Sequence, residues 1–210
     1  NQNGFTVTLS GRGAFNGGIS GSFTPTGPVV ITGTSGTPTG DIIGATASIG
    51  VRLVAPSNVT ISNVTIKGSY RALSQENAAA VVTIGSGAIF NSASSDSLLA
   101  VDAGTLTASG GFTVQGNAGA WLATPSPLAF VSMANITITV SGSPAWTSAG
   151  IVFTNNSAIS LFNITFSGSA TGKRYSGVTN GVLQSFGAGS ASTYFPGSTN
   201  GTTATQAQQL

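Results

Sequence analysis

Short apolar runs recur along this chain at a nearly fixed distance, and this repeat limits the folds that the chain can adopt. Each run follows an Asn or a Gly and then alternates inward apolar residues with outward polar ones. The five runs are residues 64–68, 88–92, 112–116, 136–140 and 164–168. The first four begin at one constant interval, and the interval before the last is slightly longer. A repeat of this length is typical of solenoid proteins.

The alternation within each run predicts which side chains face the core. The predicted inward pairs are Val64/Ile66, Ala88/Phe90, Phe112/Val114, Ile136/Ile138 and Ile164/Phe166. We expect Val64, Phe90, Val114, Ile138 and Phe166 to stack inside the body. The Asn or Gly before each run suits the left-handed or tight-turn backbone that begins a new face.

Further short runs fill the interval between the five main ones. They are residues 59–61, 82–84, 106–108, 159–161, 98–101 and 151–153. Three short strands in about 24 residues make one turn of a solenoid, which buries its apolar face only by stacking on the next turn. The sequence therefore predicts an all-β fold, a right-handed parallel β-helix with about 24 residues per rung. An antiparallel β-sandwich, which also has short strands separated by frequent turns, is the alternative.

The pattern divides the chain into three predicted segments. Residues 1–50 are rich in Gly and read as a connector or as the first irregular rungs. Residues 51–170 form the β-helix body, with a loop at residues 141–144 that contains Gly and Pro. Residues 171–210 form a C-terminal cap or tip. Because the chain begins at Asn1 instead of Met, we expect it to be processed or part of a longer protein.

Charge is scarce, since only 5% of the residues are charged while 40% are hydrophobic. Ordinary soluble domains carry roughly 25% charged residues, so we expect much of the surface to meet other protein. The six cations are spread along the chain, which argues against a nucleic-acid partner because such a partner requires a dense basic stripe. No apolar run reaches the ~18 residues of a transmembrane helix, so no membrane insertion is predicted.

The residue types needed for most catalysis are missing or isolated. The chain has no His and no Cys, and its four acids are Asp41, Glu76, Asp96 and Asp102. Glycoside hydrolysis usually requires two positioned carboxylates. We expect Asp96 and Asp102 to be solvated loop acids, although stacked rungs could bring Arg71 nearer. The sequence predicts no enzyme, no catalytic residue, no metal site and no cofactor.

The C-terminal forty residues carry the one family resemblance. Residues 172–176 read Gly-Lys-Arg-Tyr-Ser, 180–184 read Asn-Gly-Val-Leu-Gln, 194–198 read Tyr-Phe-Pro-Gly-Ser and 201–203 read Gly-Thr-Thr. This block resembles the C-terminal signature of bacteriophage and prophage tail-fibre-like proteins. Those proteins commonly end in Gly-Gly-Gln-Tyr, whereas this chain ends in Gln-Ala-Gln-Gln-Leu. The composition of the body is similar to that of tailspike β-helices.

The resemblance implies a structural or adhesion protein of a phage-like particle, such as a tail fibre, tailspike or head fibre. It implies a virion location, other virion proteins as partners, and contact with a host surface polysaccharide or protein. A bacterial surface adhesin and a polysaccharide-degrading β-helix enzyme are the alternatives.

The tail residues are the candidate binding residues, because a Gly- and Ser-rich tail with several aromatics orders itself only by packing. The candidates for a tip, cap or trimer contact are Lys173, Arg174, Tyr175, Tyr194 and Phe195. Apolar residues at expected outward positions, such as Ile89 and Val140, predict self-association. The resemblance implies that the assembly is a homotrimer, and a monomer held in a larger complex by unlike neighbours is the alternative.

Overall fold

A computed structural model gives the fold of the chain. It describes residues 5–9, 13–15, 19–21, 28–33, 41–44, 48–92, 94–186, 191–204 and 206–210, with only the backbone at residues 5–9, 13–15, 19–21, 191 and 192. Within these residues the chain is almost wholly β-structure, and its one helix is the four-residue turn α1 (Ala191–Tyr194).

Three parallel sheets form the faces of a β-solenoid in the described part of the chain. Sheet A has nine strands: β1 (Phe5–Leu9), β4 (Val29–Gly33), β7 (Asn58–Ser62), β10 (Val81–Ile84), β13 (Gly104–Ala108), β16 (Ala129–Ala134), β20 (Ala158–Phe162), β24 (Val182–Phe186) and β26 (Gln208–Gln209). Sheet B has seven: β2 (Gly13–Phe15), β5 (Asp41–Ile43), β8 (Thr65–Gly68), β11 (Ile89–Ser92), β14 (Phe112–Gln115), β17 (Thr137–Ser141) and β21 (Thr165–Gly168). Sheet C has eight: β3 (Ile19–Gly21), β6 (Ile49–Leu53), β9 (Arg71–Gln75), β12 (Ser97–Val101), β15 (Ala120–Thr124), β19 (Ile151–Phe153), β23 (Tyr175–Gly177) and β25 (Thr202–Thr203). A small pair, β18 (Ala145–Trp146) and β22 (Thr171–Gly172), lies outside them.

Each strand of a sheet pairs with the equivalent strands of the rungs before and after it. Val81 of β10 pairs with Asn58 below and with Thr105 above, both in parallel. The length of a rung is the number of residues that separates two paired positions in sheet A. It is smallest between Asn58 and Val81 and largest between Val29 and Val59. Parallel pairing one rung apart confirms the predicted parallel β-helix and excludes the antiparallel sandwich.

The core is the column of apolar side chains between the three sheets. Nine of the ten predicted inward residues are buried: Val64, Ile66, Ala88, Phe90, Phe112, Val114, Ile136, Ile138 and Ile164. The tenth, Phe166, is partly buried and packs against the same cluster. The period-2 alternation therefore identified the core side of sheet B correctly.

The predicted stacking order is wrong at two steps. Phe90 pairs with Val114, as expected, but the residue below Phe90 is Ile66 and not Val64. The next rung is shifted by two residues, because Val114 pairs with Val140 while Ile138 lies on Phe112. A shift of two residues keeps every side chain on its own face, so burial alone does not reveal it.

The predicted outward position of Val140 is a second error, since this residue is buried in the core. It occupies the fifth place of an alternating run whose first and third places, Ile136 and Ile138, also face inward. Ile89 does face outward on sheet B and is half-buried. The apolar stripe that these two residues were expected to form is therefore absent from this part of the described chain.

Asparagine forms the corner between sheets A and B, as the sequence indicates. Asn63, Asn135 and Asn163 have φ values of 50°, 55° and 50°, and Gly87 at the equivalent place has 74°. The Asn163 amide donates to the Asn135 side-chain oxygen at 2.9 Å, one rung away. Left-handed backbone is easiest for Gly and Asn, which explains why the corner uses them. Gly111, the fifth corner residue, is not in this conformation.

The sheets extend beyond the predicted body at both ends. Strands β1 to β5 continue them within residues 1–50, and the tail adds β24 and β26 to sheet A and β23 and β25 to sheet C. In the described residues sheet B ends at β21, one rung before sheet C ends and two rungs before sheet A ends. The segment that contains α1 lies at this place.

Candidate functional site

The tail residues predicted to form a cap, a tip or a trimer contact are packed at the end of the solenoid. Tyr175 pairs with Ile151 in sheet C, and Arg174 and Lys173 precede it in the chain. Phe195 follows α1 and is 1% exposed, so its ring contacts the rest of the chain instead of solvent. Tyr194 and Tyr175 are partly buried against the same core.

These aromatic rings form one continuous cluster with the last rung. Phe195 lies edge-on to Phe166 at 6.0 Å and to Tyr175 at 6.0 Å between ring centroids. Tyr194 lies 5.4 Å from Phe166, and Phe166 reaches Trp121 at 6.1 Å. Edge-to-face aromatic pairs stabilise beyond the area that they bury. The cluster therefore covers the end of sheet B, where the ladder of strands stops.

A hydrogen bond fixes the Tyr194 ring to this cap. Its hydroxyl donates to the carbonyl oxygen of Ile164 at 2.6 Å, immediately before β21. Burial raises the pKa of Tyr194 and outweighs the effect of this bond. The hydroxyl thus remains a donor at neutral pH and satisfies a carbonyl near the end of the sheet.

The two cations of the tail are half-buried and differ in their contacts. The Lys173 ammonium group donates to the Thr202 hydroxyl at 3.3 Å. Arg174 hydrogen-bonds through its backbone, donating to Thr199 and accepting from Ile151. The Arg174 Nε atom is buried without a hydrogen-bond partner among the described residues. The structure thus brings the five predicted residues to one end of the molecule, where the aromatic ones form a cap.

The outer face of sheet C carries a network of charges that the sequence did not predict as a unit. Arg52 on β6 holds Glu76 through two parallel bonds, Nε to Oε1 at 2.9 Å and Nη2 to Oε2 at 2.8 Å. The hydrogen bond from Arg52 is the main reason that the pKa of Glu76 lies below its ordinary value. The Ser74 hydroxyl links Glu76 to Arg71, donating to the former at 2.9 Å and accepting from the latter at 3.1 Å.

Arg71 binds two carboxylates from the next rung, and we call Tyr70, Arg71, Asp96 and Asp102 the Arg71 cluster. Its Nη1 donates to Asp102 at 2.7 Å and its Nη2 to Asp96 at 3.3 Å. Its Nε lies 3.3 Å from Asp96 Oδ1 without hydrogen-bond geometry, so that contact is an ion pair only. Asp96 and Asp102 lie in loops, as expected, but they are only partly solvated, because the stacking of rungs brings Arg71 to both of them.

The pKa shifts in the Arg71 cluster favour the charged forms of Arg71 and Asp96. Burial acts to raise the pKa of Asp96, but hydrogen bonds from the Tyr70 hydroxyl, the Ser97 N–H and Arg71 outweigh it, and the pKa is lowered. Burial likewise opposes the charge of Arg71, while Asp102 and Asp96 raise its pKa above the ordinary value. The guanidinium group also lies 5.2 Å from the centroid of the Tyr70 ring. Arg71 and Asp96 therefore form an ion pair at neutral pH.

A shallow groove of about 360 Å³ runs beside this cluster. Its lining includes the charged residues Arg71 and Asp96 and the apolar residues Ala120, Ala123 and Val152. Because Asp96 is engaged by three donors, its carboxylate does not project freely into the groove. Among the described residues, no three of the His, Cys, Asp and Glu side chains come close enough to hold a metal ion.

The outer face of sheet A, which we call the sheet A face, differs from the outer face of sheet C in its charge and in its exposed aromatic side chains. The nine strands of sheet A contain no Asp, Glu, Lys or Arg. Near the C-terminal end, Phe130, Phe162 and Phe186 point outward and are 43%, 49% and 46% exposed. Phe162 and Phe186 are direct register partners on neighbouring strands. Exposed aromatic side chains on a face without charge are typical of surfaces that contact other molecules.

Sequence reasoning missed these exposed Phe residues, although the sequence contains a signal for two of them. Phe162 and Phe186 are separated by one repeat length in the sequence. Each is also the last residue of a strand in which inward and outward positions alternate. The alternation places each Phe on the outward side of its strand.

Searches against protein-family models, curated proteins and solved structures found no match for this chain.

In the described residues, the structure has no helix with the length and apolar character needed to cross a membrane.

Proposed function

We propose that this chain is a non-enzymatic structural and adhesion module of a phage-like particle, such as a tail fibre, tailspike or head fibre. The observation that carries the proposal is the sheet A face, a long uncharged surface with exposed Phe130, Phe162 and Phe186. Such a surface suits contact with other macromolecules more than chemistry on a small substrate. The resemblance of residues 172–203 to phage tail-fibre-like C-termini supplies the particle type and the virion location.

The state of the carboxylates supports the non-enzymatic part of the proposal. A glycosidase acid requires a raised pKa so that it holds a proton near neutral pH. Asp96 has the opposite shift, and both Asp96 and Asp102 contact Arg71. Two carboxylates that share one guanidinium group are better suited to holding neighbouring rungs together than to transferring protons.

The proposed partners follow from the same surface and the same resemblance. We propose a homotrimer that contacts other virion proteins and a host surface polysaccharide or protein. A nucleic-acid partner has little support, since Arg52 and Arg71 are engaged by acids of their own chain. The tail residues Lys173, Arg174 and Tyr175 remain candidates for contacts at the tip, because they are only half-buried.

Localisation tests the particle assignment. Antibodies raised against the chain would be applied to particles purified from cells that produce it, and viewed by electron microscopy. We expect label on an appendage of a phage-like particle. Recovery of the chain only in the cell envelope, with no labelled particle, would favour the surface-adhesin alternative.

A turnover assay tests the non-enzymatic assignment. The chain would be incubated with bacterial surface polysaccharides, and new reducing ends or unsaturated products would be measured. We expect none. Turnover that disappears in Asp96→Ala or Asp102→Ala would show that the chain is an enzyme.

A further inference from the structure

The apolar residues on the outside of sheet A gather at its C-terminal end. Phe130, Phe162 and Phe186 lie on three successive strands, and Val182 and the exposed Leu210 lie beside them. Between the Phe residues runs a central column of small polar side chains, Ser132, Ser160 and Gln184, which are register partners. The surface is therefore flat and regular, with small polar side chains along its middle and Phe side chains along its edges.

We propose that the sheet A face is a homotypic interface that lines the three-fold axis of the proposed homotrimer, so that it contacts the same face of the other two copies of this chain. This inference rests on the proposed function in that it assigns the surface by which the chains assemble. Charge supplies the first argument. Two identical charged faces meet with like charges opposed, which is unfavourable. The strands of sheet A carry no charged residue, so identical copies can approach without that repulsion.

Desolvation supplies the second argument. Burying a polar group is costly unless it keeps a hydrogen bond. The hydroxyl groups of Thr83 and Thr107 bond to each other at 3.1 Å, and Ser62 donates to Thr32 at 3.2 Å. Part of the polar N-terminal half of the face thus satisfies its own hydrogen bonds, and water can leave it at small cost.

The size of the face supplies the third argument. Nine strands span eight spacings of ~4.8 Å, or roughly 38 Å, and five residues per strand span roughly 16 Å. The projected area is therefore on the order of 600 Å², close to the ~800 Å² that each partner buries in a stable complex. Two copies also share the same rung spacing, so their ridges and hollows recur at the same interval.

The other outer faces fit a second copy less well. Sheet C carries Arg52 and the Arg71 cluster, whose charges are already paired within the chain, so burying this face would remove their water without adding a new partner. Sheet B carries the half-buried Lys67 on its outer face. Among the described residues, the large apolar side chains with the greatest exposure lie mainly on or beside sheet A.

The experiment is a measurement of mass in solution as a function of concentration, on the full chain and on paired variants. The double variant Phe162→Lys/Phe186→Lys puts two charges on neighbouring rungs of sheet A. The control Thr113→Lys/Thr139→Lys puts the same two charges on neighbouring rungs of sheet B, since these threonines are register partners. We expect the first pair to weaken self-association by at least about tenfold and the second by less than about twofold.

Two checks keep the result decisive. Circular dichroism and thermal unfolding show whether each variant is folded, and Phe162→Gln/Phe186→Gln is the milder replacement if the lysine pair is not. A full chain that is a monodisperse monomer at about 100 μM, or two double variants that weaken association equally, would overturn the inference. Both measurements use the isolated chain, so they do not depend on whether it is found on a particle.

Discussion

The outer faces of sheets A and C belong to the same rungs, yet they solve the problem of an exposed sheet differently. Sheet C engages its charged residues with one another, as in the pairing of Arg71 with Asp96 and Asp102. Sheet A has no charges and leaves Phe162 and Phe186 uncovered. The charges of one face are paired within the chain, whereas the other face leaves large apolar side chains exposed.

The difference shows that the solenoid fixes the core much more tightly than the surface. Inward residues are mostly apolar because they stack on one another, although Asp41 and Ser92 are also buried at inward positions. Outward residues only have to be compatible with the backbone pairing of the strands, so they can differ from one face to another. The chemistry of each outer face is therefore the part of the sequence that reports on function.

The largest predicted effect tests which side chains point inward. The comparison of the outer faces depends on this assignment. Val114 is fully buried and its neighbour Thr113 faces outward. We expect Val114→Asp to destabilise by more than about 4 kcal/mol, because an unpaired charge enters the core. Thr113→Asp should cost less than about 1 kcal/mol. Equal losses in chemical denaturation would show that the assignment of faces is wrong.

The next effect compares a buried aromatic of the cap with an exposed one of the sheet A face. Phe195 is 1% exposed and Phe186 is 46% exposed. Phe195→Ala should cost about 3–5 kcal/mol, the usual loss for a large aromatic removed from a core. Phe186→Ala should change the free energy of unfolding of the monomer only slightly. A small loss for Phe195→Ala would mean that the tail does not cap the solenoid.

Sequence reasoning recovered the architecture because its signals are local and repeated. The Asn at position 63 and its equivalents mark corners, and alternation marks the core side of each strand. The two-residue shift at Val140 was missed because it preserves the alternation, and the register there depends on pairing between rungs.

The surface was predicted less well, since its features join residues that are distant in sequence. Asp96 and Asp102 lie 25 and 31 residues from Arg71, and only the stacking of rungs brings them together. Phe195 was expected at a cap or at a tip, and no local pattern distinguishes the two. The closure over Phe166 depends on sheet B ending before the others.

A smaller effect tests the claim that the sheet C face is held together by Arg71. Arg71→Met keeps the aliphatic stem but leaves two half-buried carboxylates without their shared cation. We expect a loss of about 1–3 kcal/mol in the free energy of unfolding. The control Arg52→Met removes a solvent-exposed pair and should have little effect. If both variants behave alike, the Arg71 cluster has no special structural role.

The smallest predicted effect is a dependence on pH. The pKa of Asp96 is lower in the folded chain than its ordinary value. The stabilisation from its charged form is therefore present above the unfolded-state pKa of about 3.9 and is lost as the pH falls through the folded-state pKa. We expect thermal stability to fall below about pH 4, and to fall less steeply in Asp96→Asn. An Asp96→Asn profile as steep as that of the unaltered chain would contradict this origin.

Chemical cross-linking tests most directly the central claim that the sheet A face, and not the sheet C face, meets another copy. The chain has no Cys, so a single Cys can be placed at will. Ser160 and Ser176 are half-buried serines at outward positions of sheets A and C. With a short bis-maleimide, Ser160→Cys should give covalent dimers, whereas Ser176→Cys should remain monomeric. Efficient cross-linking through Ser176→Cys, with none through Ser160→Cys, would contradict the account.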